Sequence, residues 1–406
     1  MTGRRTEILV VGTSFKTAPI STRESLVRRL SAQGRLGALR GVAEHAALLT
    51  CNRAELYFAT DDPEGTKAAF FDSVKDADGC SDTKRFYALS GREAVKHLYR
   101  VASGLDSMLL GEEQIYGQVR KAESEARKAG DAKAVLSALF DSALGVARSI
   151  RKGSRPGRRD RSIGVYAVRF AKRRMKVRKD TRVLLVGTGK TIMMASRELG
   201  VPGSQVYIAT RRSQVPEGME EAHLVPYSEL GRVADSCDLI IAATSHPDYL
   251  IRKEDLSPGR RRLLIDLAVP RNVEPSVSSG AELYNLDDLG KEFMHMSGFS
   301  RGRLDAAEAT FDAEAARFEI WLTATRLSPA LSGLYSWAEG LRAEELERAK
   351  KRLLGGNGKA MEIMSRRLVS RLLYPPTNFA KSASDGNEQA RRLDLLERVF
   401  GLDVKK

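Results

Sequence analysis

Cysteine, tryptophan and histidine are scarce in this chain of 406 residues, which holds three Cys, two Trp and five His. Cys51, Cys80 and Cys237 stand far apart, form no Cys-x-x-Cys pair and cannot close an even disulfide framework. This excludes a disulfide-built scaffold and argues against a cysteine-built zinc or iron–sulfur site; no metal site is expected. No apolar stretch reaches the roughly 18 residues of a membrane span, and the run Ile8–Val11 is far too short for a secretion signal. A soluble, cytoplasmic protein is therefore expected. Low-complexity sequence is missing as well, with 13 Pro and 34 Gly being ordinary numbers. Apolar residues supply 42% of the chain, and its length exceeds what one core organises, so two or three packed domains are predicted.

What is in excess is positive charge: 67 Lys and Arg against 52 Asp and Glu, a formal net charge of +15. Such a surplus suits a polyanionic partner such as nucleic acid, and equally a surface kept basic for solubility.

Along the chain the patterning changes twice. Ile8–Gly12 reads as a strand, Ser21–Leu30 as an amphipathic helix opening on a Ser cap, and Ala46–Thr60 as a hairpin turning at Thr50-Cys51-Asn52-Arg53. Arg92–Arg151 is helical, with Val95, Leu98, Val101 and Ala102 on one face and Val119, Ala122 and Ala126 on another. A basic Gly- and Pro-containing connector, Arg151–Arg161, follows. Next come four apolar runs, Arg182–Val186, Gln205–Thr210, Leu239–Thr244 and Leu263–Leu267, spaced by helix or loop lengths as in a doubly wound parallel sheet. Beyond about residue 300 strand signals cease. Phe311, Ala315, Phe318 and Leu322, then Leu334, Trp337, Leu341, Leu346 and Leu353, mark long helices, with breaks expected at Gly355–Gly358 and at Pro375-Pro376. Apolar stripes that long, with little sequence left to cover them, predict pairing between subunits.

The turn Gly187-Thr188-Gly189-Lys190-Thr191-Ile192 admits two phosphate-binding readings. A Walker A loop would need its first glycine where Leu184 stands, inside the strand, so that reading fails. A dinucleotide fingerprint keeps its first two glycines, with Ile192 in place of the third; the plain alternative is an ordinary βα turn. At the end of the next strand the chain places Thr210-Arg211-Arg212 instead of an acid, which suits a 2′-phosphate and favours NADPH over NADH. Cys51 sits among hydroxyl, amide and guanidinium side chains. Arg53 close by would favour the thiolate that a nucleophile needs, against the plain reading of a small buried hydrophobe. His97, and Ser107, Glu112 and Gln114 after it, interrupt an apolar stretch as a polar pocket would. These residues leave three functions open: an enzyme with a reactive cysteine, an NADP-dependent dehydrogenase of a free metabolite, and a non-enzymatic RNA-binding protein.

Five ordered segments narrow the choice: Leu49–Tyr57, Val101–Met108, Gly111–Ile115, Leu264–Arg271 and Leu373–Thr377, preceded by Lys16-Thr17-Ala18-Pro19. Together they closely resemble the signature segments of glutamyl-tRNA reductases over nearly the whole chain. The resemblance implies a multi-domain α/β protein. Its parts would be an α+β catalytic domain (1–155), a Rossmann-type doubly wound NADPH domain (156–298) and an all-α C-terminal dimerisation domain (299–406). It implies NADPH-dependent reduction of glutamyl-tRNA(Glu) to glutamate-1-semialdehyde through a Cys51 thioester, in tetrapyrrole (porphyrin) biosynthesis. Thr50, Asn52, Arg53, Ser107, Glu112, Glu113, Gln114 and Gln118 carry over as substrate-binding residues, with Arg53 expected to pair the substrate's side-chain carboxylate. His97 carries over as a residue needed for activity, whether it moves a proton or orients the substrate. Gly187 to Ile192 carry over as the cofactor turn. A homodimer is implied, with glutamate-1-semialdehyde aminomutase a candidate partner. The chain departs from the family pattern at Phe15 (usually His), Glu113 (usually Pro) and Tyr374 (often His).

Overall fold

The computed structural model describes residues 6–32, 42–74, 82–108, 114–152, 162–178, 180–200, 205–211, 214, 219, 222–293, 301–352 and 358–402. Two compact units emerge, Met1–Phe311 and Asp312–Lys406. Among the described residues no helix is long and apolar enough to cross a membrane.

The first unit opens with an antiparallel sheet of β1 (Glu7–Ser14), β2 (Val42–Leu49), β3 (Arg53–Thr60) and β4 (Tyr87–Ser90), in the order β2-β3-β1-β4. β2 lies at the edge and alternates in burial, whereas every residue of β3 is buried. Helices α1 (Ile20–Ala32) and α2 (Pro63–Val74) bring Leu26 and Phe70 onto Leu9, Val11, Leu56 and Phe58. Three more helices follow: α3 (Gly91–Ser103), α4 (Gln114–Ala129) and α5 (Ala134–Lys152). α3 buries the face expected from its spacing, Val95, Leu98, Val101 and Ala102, and Phe140 of α5 meets Tyr57 edge-on at 5.5 Å. The start of α1 differs from the sequence expectation. The helix begins at Ile20, whose N–H donates to Asp287 Oδ2 at 2.9 Å, so a carboxylate distant in sequence serves this end where a Ser21 cap was expected.

The second sheet is parallel. α6 (Ile163–Arg174) leads into β5 (Arg182–Val186), α7 (Lys190–Leu199), β6 (Gln205–Ala209), β7 (His223–Val225), α8 (Leu230–Ser236), β8 (Leu239–Ala242), β9 (Leu263–Asp266), β10 (Glu282–Asn285) and α9 (Leu286–Phe293). Strand order is β10-β9-β8-β5-β6-β7, so the winding reverses at β5. The strands bury both faces. Leu185, Ile208 and Ile241 pack on one side with α6 and α7, and Leu184, Val186 and Ile240 on the other with α8. All four strands foreseen as apolar runs are present. β7 and β10 are additions: both lie at the sheet edges and are only partly buried, and their sequences His223-Leu-Val and Glu282-Leu-Tyr-Asn are not continuous apolar runs.

The two sheets are tied together by charge. Arg23, fully buried, reaches Asp287 Oδ1 with Nη2 at 2.7 Å, and Glu24 Oε2 accepts from Arg271 Nη2 at 2.8 Å.

The second unit is helical: α10 (Arg301–Arg352), which begins in the first unit, α11 (Gly358–Lys381) and α12 (Gly386–Phe400). α10 continues through Pro329. Pro375-Pro376 does not end α11, contrary to the expectation from sequence: both prolines lie inside it. The carbonyls that lose their donors belong to Arg371 and Leu372, whose side chains are exposed, so water can serve them, while the Thr377 hydroxyl donates to Leu373 O at 2.7 Å. Most of the expected break at Gly355–Gly358, with Leu353, lies outside the described residues. Leu334, Ala338 and Leu373 form a small core with Val369, Phe400 and Leu402. Trp321, Trp337, Leu341, Leu368, Leu372 and Val399 stay exposed within the unit.

Candidate active site

The hairpin tip between β2 and β3 is built by one hydroxyl. Thr50 Oγ1 accepts from the N–H groups of Asn52 and Arg53, both at 3.2 Å, and Thr50 N–H donates to Arg53 O at 2.8 Å. The tip therefore holds Cys51 in a fixed turn at the end of the sheet. Asn52 O accepts from Phe15 N–H at 2.9 Å, which binds the end of β1 to the same turn. Cys51 is half-buried, lies outside any disulfide, and packs against an apolar cluster that joins Ile20 and Met108 of the first domain to residues of the parallel-sheet domain. The cysteine thus lies beside an apolar cluster to which both sheet domains contribute. Asn52 is buried, and its side-chain oxygen has no hydrogen-bond partner among the described residues, an acceptor left for a ligand's N–H. Cys237 is different: it lies in the core and burial pushes its thiol up to about 11, so it is inert.

Arg53 is not open to solvent. Its guanidinium is fully buried, with Nη1 on Glu55 Oε1 at 2.7 Å, both Nη atoms 3.1 Å from Asp106 Oδ2, and a further contact to Asp106 O. Only Nε lacks a partner among the described residues. A substrate carboxylate would have to compete with two internal carboxylates for this cation, because the protein already saturates both Nη atoms. Burial alone would push the Glu55 carboxyl up, but the Arg53 guanidinium and the hydrogen bonds from His97 and Tyr57 outweigh it and hold Glu55 well below the ordinary carboxylate range. Asp106 is lowered likewise: burial opposes, and Arg53 and Lys16, which pairs with it, prevail.

His97, on α3, is nearly buried, with Nε2 2.9 Å from Glu55 Oε1 and its ring edge-on to Tyr87 at 5.3 Å. Ser107 is buried in the turn that follows α3, beside Asp106. Gln114 opens α4, and its side chain lies 3.4 Å from the Thr191 hydroxyl, so a residue of the substrate set touches one of the cofactor turn. Gln118, one turn later, lines a separate cavity of about 420 Å³ between α4 and β2. Glu112 and Glu113 lie outside the described residues.

In the cofactor turn, Gly187 has φ +112°, and a Cβ there would come within 2.7 Å of Ala243 O, so only glycine fits. Gly189 caps α7 with open space on its Cβ side, leaving the helix N-terminus clear for a pyrophosphate, and Lys190, Thr191 and Ile192 form its first turn. Thr210 follows β6 and Arg211 is exposed beside it; Arg212 lies outside the described residues. A dinucleotide fits these residues, and the lack of an acid at Thr210 suits a phosphorylated ribose.

Reasoning from sequence missed Glu55, Asp106, Lys16 and the Arg23 and Glu24 pairs. A signal existed for Glu55: Arg53, Glu55 and Tyr57 alternate along one face of an otherwise apolar buried strand. The Leu264–Arg271 segment also gains a physical role. Asp266 accepts from the N–H groups of Ala268, Asn272 and Val273, and the loop so shaped delivers Arg271 to Glu24.

A parallel sheet wound both ways from β5, with a glycine turn at the N-terminus of α7, marks a protein with an NAD(P)-binding Rossmann domain. Comparison with known proteins makes this specific. Family models match residues 11–154 (Glutamyl-tRNAGlu reductase, N-terminal domain), 169–292 (Shikimate / quinate 5-dehydrogenase) and 306–402 (Glutamyl-tRNAGlu reductase, dimerisation domain). The glutamyl-tRNA reductase of Stenotrophomonas maltophilia (strain R551-3) is 35% identical over 413 residues, covering 96% of this chain and 94% of that protein. That of Syntrophotalea carbinolica is 30% identical over 417 residues, covering 97% and 94%. The solved glutamyl-tRNA reductase from Methanopyrus kandleri aligns with a TM-score of 0.50 at 26% identity, over 98% of this chain and 99% of that one. This chain belongs to the glutamyl-tRNA reductase family, oxidoreductases that reduce glutamyl-tRNA to glutamate-1-semialdehyde in tetrapyrrole biosynthesis.

Proposed function

We propose that this chain performs its family's reaction with NADPH through a thioester on Cys51. The Cys51 sulfur bonds to the carbonyl carbon of the glutamyl ester, the bond to the tRNA ribose oxygen breaks, and the thiol proton passes by way of His97 to that oxygen. NADPH, when bound, supplies the hydride that turns the thioester into the aldehyde and returns the Cys51 thiolate. Gly187 to Ile192 would hold the pyrophosphate, and Thr210, Arg211 and Arg212 the 2′-phosphate end. Thr50 shapes the turn, while Asn52, Ser107, Gln114 and Gln118, together with Glu112 and Glu113, supply polar contacts for the glutamyl group. Arg53 is assigned chiefly to organising the site. The exposed apolar helices of the second unit are the surface of a homodimer, and the basic surplus serves the tRNA.

The observation that carries this reading is Cys51 at a hydrogen-bonded hairpin tip, packed against the apolar cluster to which both sheet domains contribute. Replacing Cys51 by Ala abolishes aldehyde formation from glutamyl-tRNA and NADPH while leaving NADPH binding intact. Substantial reductase activity in Cys51→Ala overturns covalent catalysis.

A further inference from the structure

Glu55 is a fully buried carboxylate in mid-strand, and four donors converge on it. Oε1 accepts from Arg53 Nη1 at 2.7 Å, from Tyr87 OH and from His97 Nε2, and Oε2 accepts from Tyr57 OH at 2.7 Å. Gly12 stands opposite in β1, where a Cβ would run into Ala54 O and Glu55, so the sheet leaves room for this group. A carboxylate surrounded by donors has no proton to give. The imidazole proton at this contact must therefore sit on Nε2, which leaves Nδ1 as the nitrogen that can exchange a proton. The edge-on contact with Tyr87 fixes the plane of the ring. Charge balance with Arg53 and Lys16 accounts for a carboxylate beside Asp106 but not for its hydrogen bond to His97.

We propose that Glu55 is a positioning residue for the reaction: its carboxylate holds the His97 Nε2 proton and thereby makes Nδ1 the nitrogen that takes the Cys51 thiol proton and delivers it to the leaving ribose oxygen. The proposal rests on the proton-carrying role given to His97 above and adds the group that selects its working atom. A carboxylate that orients a histidine acts through the tautomer it stabilises, and losing it costs rate more than binding.

The test uses the full-length protein and NADPH-independent deacylation of glutamyl-tRNA, with Glu55→Gln, His97→Asn and the double variant. Wild-type protein labelled with ¹⁵N-histidine shows His97 protonated at Nε2 and bare at Nδ1. Glu55→Gln, which keeps the volume of the side chain, gives a mixed tautomer and lowers kcat at least tenfold with KM changed little. In the His97→Asn background the same substitution adds no further loss, because Glu55 acts through a ring that is gone. A wild-type His97 protonated at Nδ1 overturns the proposal, and this needs no variant to fold. An undiminished loss on adding Glu55→Gln to His97→Asn also overturns it and marks Glu55 as structural. Full activity in His97→Asn removes the role of His97 itself, an outcome distinct from failure at Glu55 alone.

Discussion

Residue by residue, the site is an assembly of charges placed where burial should forbid them. Arg53 and Glu55 are both fully buried, and with Asp106, Lys16 and His97 they form a continuous chain from the edge of the sheet to α3. A buried pair of this kind is costly to break, because removing one partner leaves an unpaired charge, at about 3–5 kcal/mol. Its pH dependence has a definite sign. Glu55 titrates lower in the folded state than its ordinary 4.5, so its contribution is full above that value and is lost as pH falls through and below it. Thermal melting from pH 6 to pH 3 should therefore show a loss on the order of 2–3 kcal/mol in the wild type. Glu55→Gln, less stable at pH 6, should lose less over the same range. A pH slope equal in the two proteins contradicts the assignment. The turn that bears Cys51, the proposed nucleophile, was legible in sequence because a polar tetrad between two apolar runs has no packing reason to exist. The network behind it was not, because partners distant in sequence, such as Asp106, leave no local pattern.

At the scale of elements, legibility followed burial. β5, β6, β8 and β9 read as strands because burial on both faces forces continuous apolar runs, whereas the edge strands β7 and β10 are only partly buried and carry no such run. The Pro-Pro pair misled because water at exposed carbonyls supplies what a buried helix would lack. Most informative is α1, whose first turn joins the two sheets: its N-terminus and Arg23 both engage Asp287 of α9, and Glu24 engages Arg271. This clasp ties the parallel-sheet domain to the cysteine domain, so it should matter for hydride delivery more than for attack on the ester. Asp287→Asn is expected to lower NADPH-dependent reduction at least tenfold, about 1.4 kcal/mol, while NADPH-independent deacylation changes less than twofold. Equal losses in both assays would show that the pair serves stability only.

In the whole molecule, the helical unit leaves Trp321, Trp337, Leu341, Leu368, Leu372 and Val399 exposed around a core of a few residues. Each large apolar side chain kept in water forgoes about 1.5–3 kcal/mol of burial, a penalty that a second copy removes by symmetry. The start of α10 belongs with the first unit: Glu308 pairs with Arg100 at 2.8 Å, and Phe311 packs on Tyr99. A chain ending just after Phe311 should therefore be a soluble monomer by light scattering and still bind NADPH, whereas the full chain should be a dimer. A dimer that survives this truncation would place the interface in the first unit.

The central claim, a covalent glutamyl intermediate on Cys51, is tested most directly by mixing the full-length protein with glutamyl-tRNA labelled in its glutamate, without NADPH, quenching in acid and mapping the adduct by peptide mass spectrometry. The account predicts one glutamyl group per chain, on the peptide bearing Thr50 to Arg53, absent in Cys51→Ala and chased to aldehyde when NADPH is added before the quench. Label on any other residue, or reduction to aldehyde by Cys51→Ala, contradicts it.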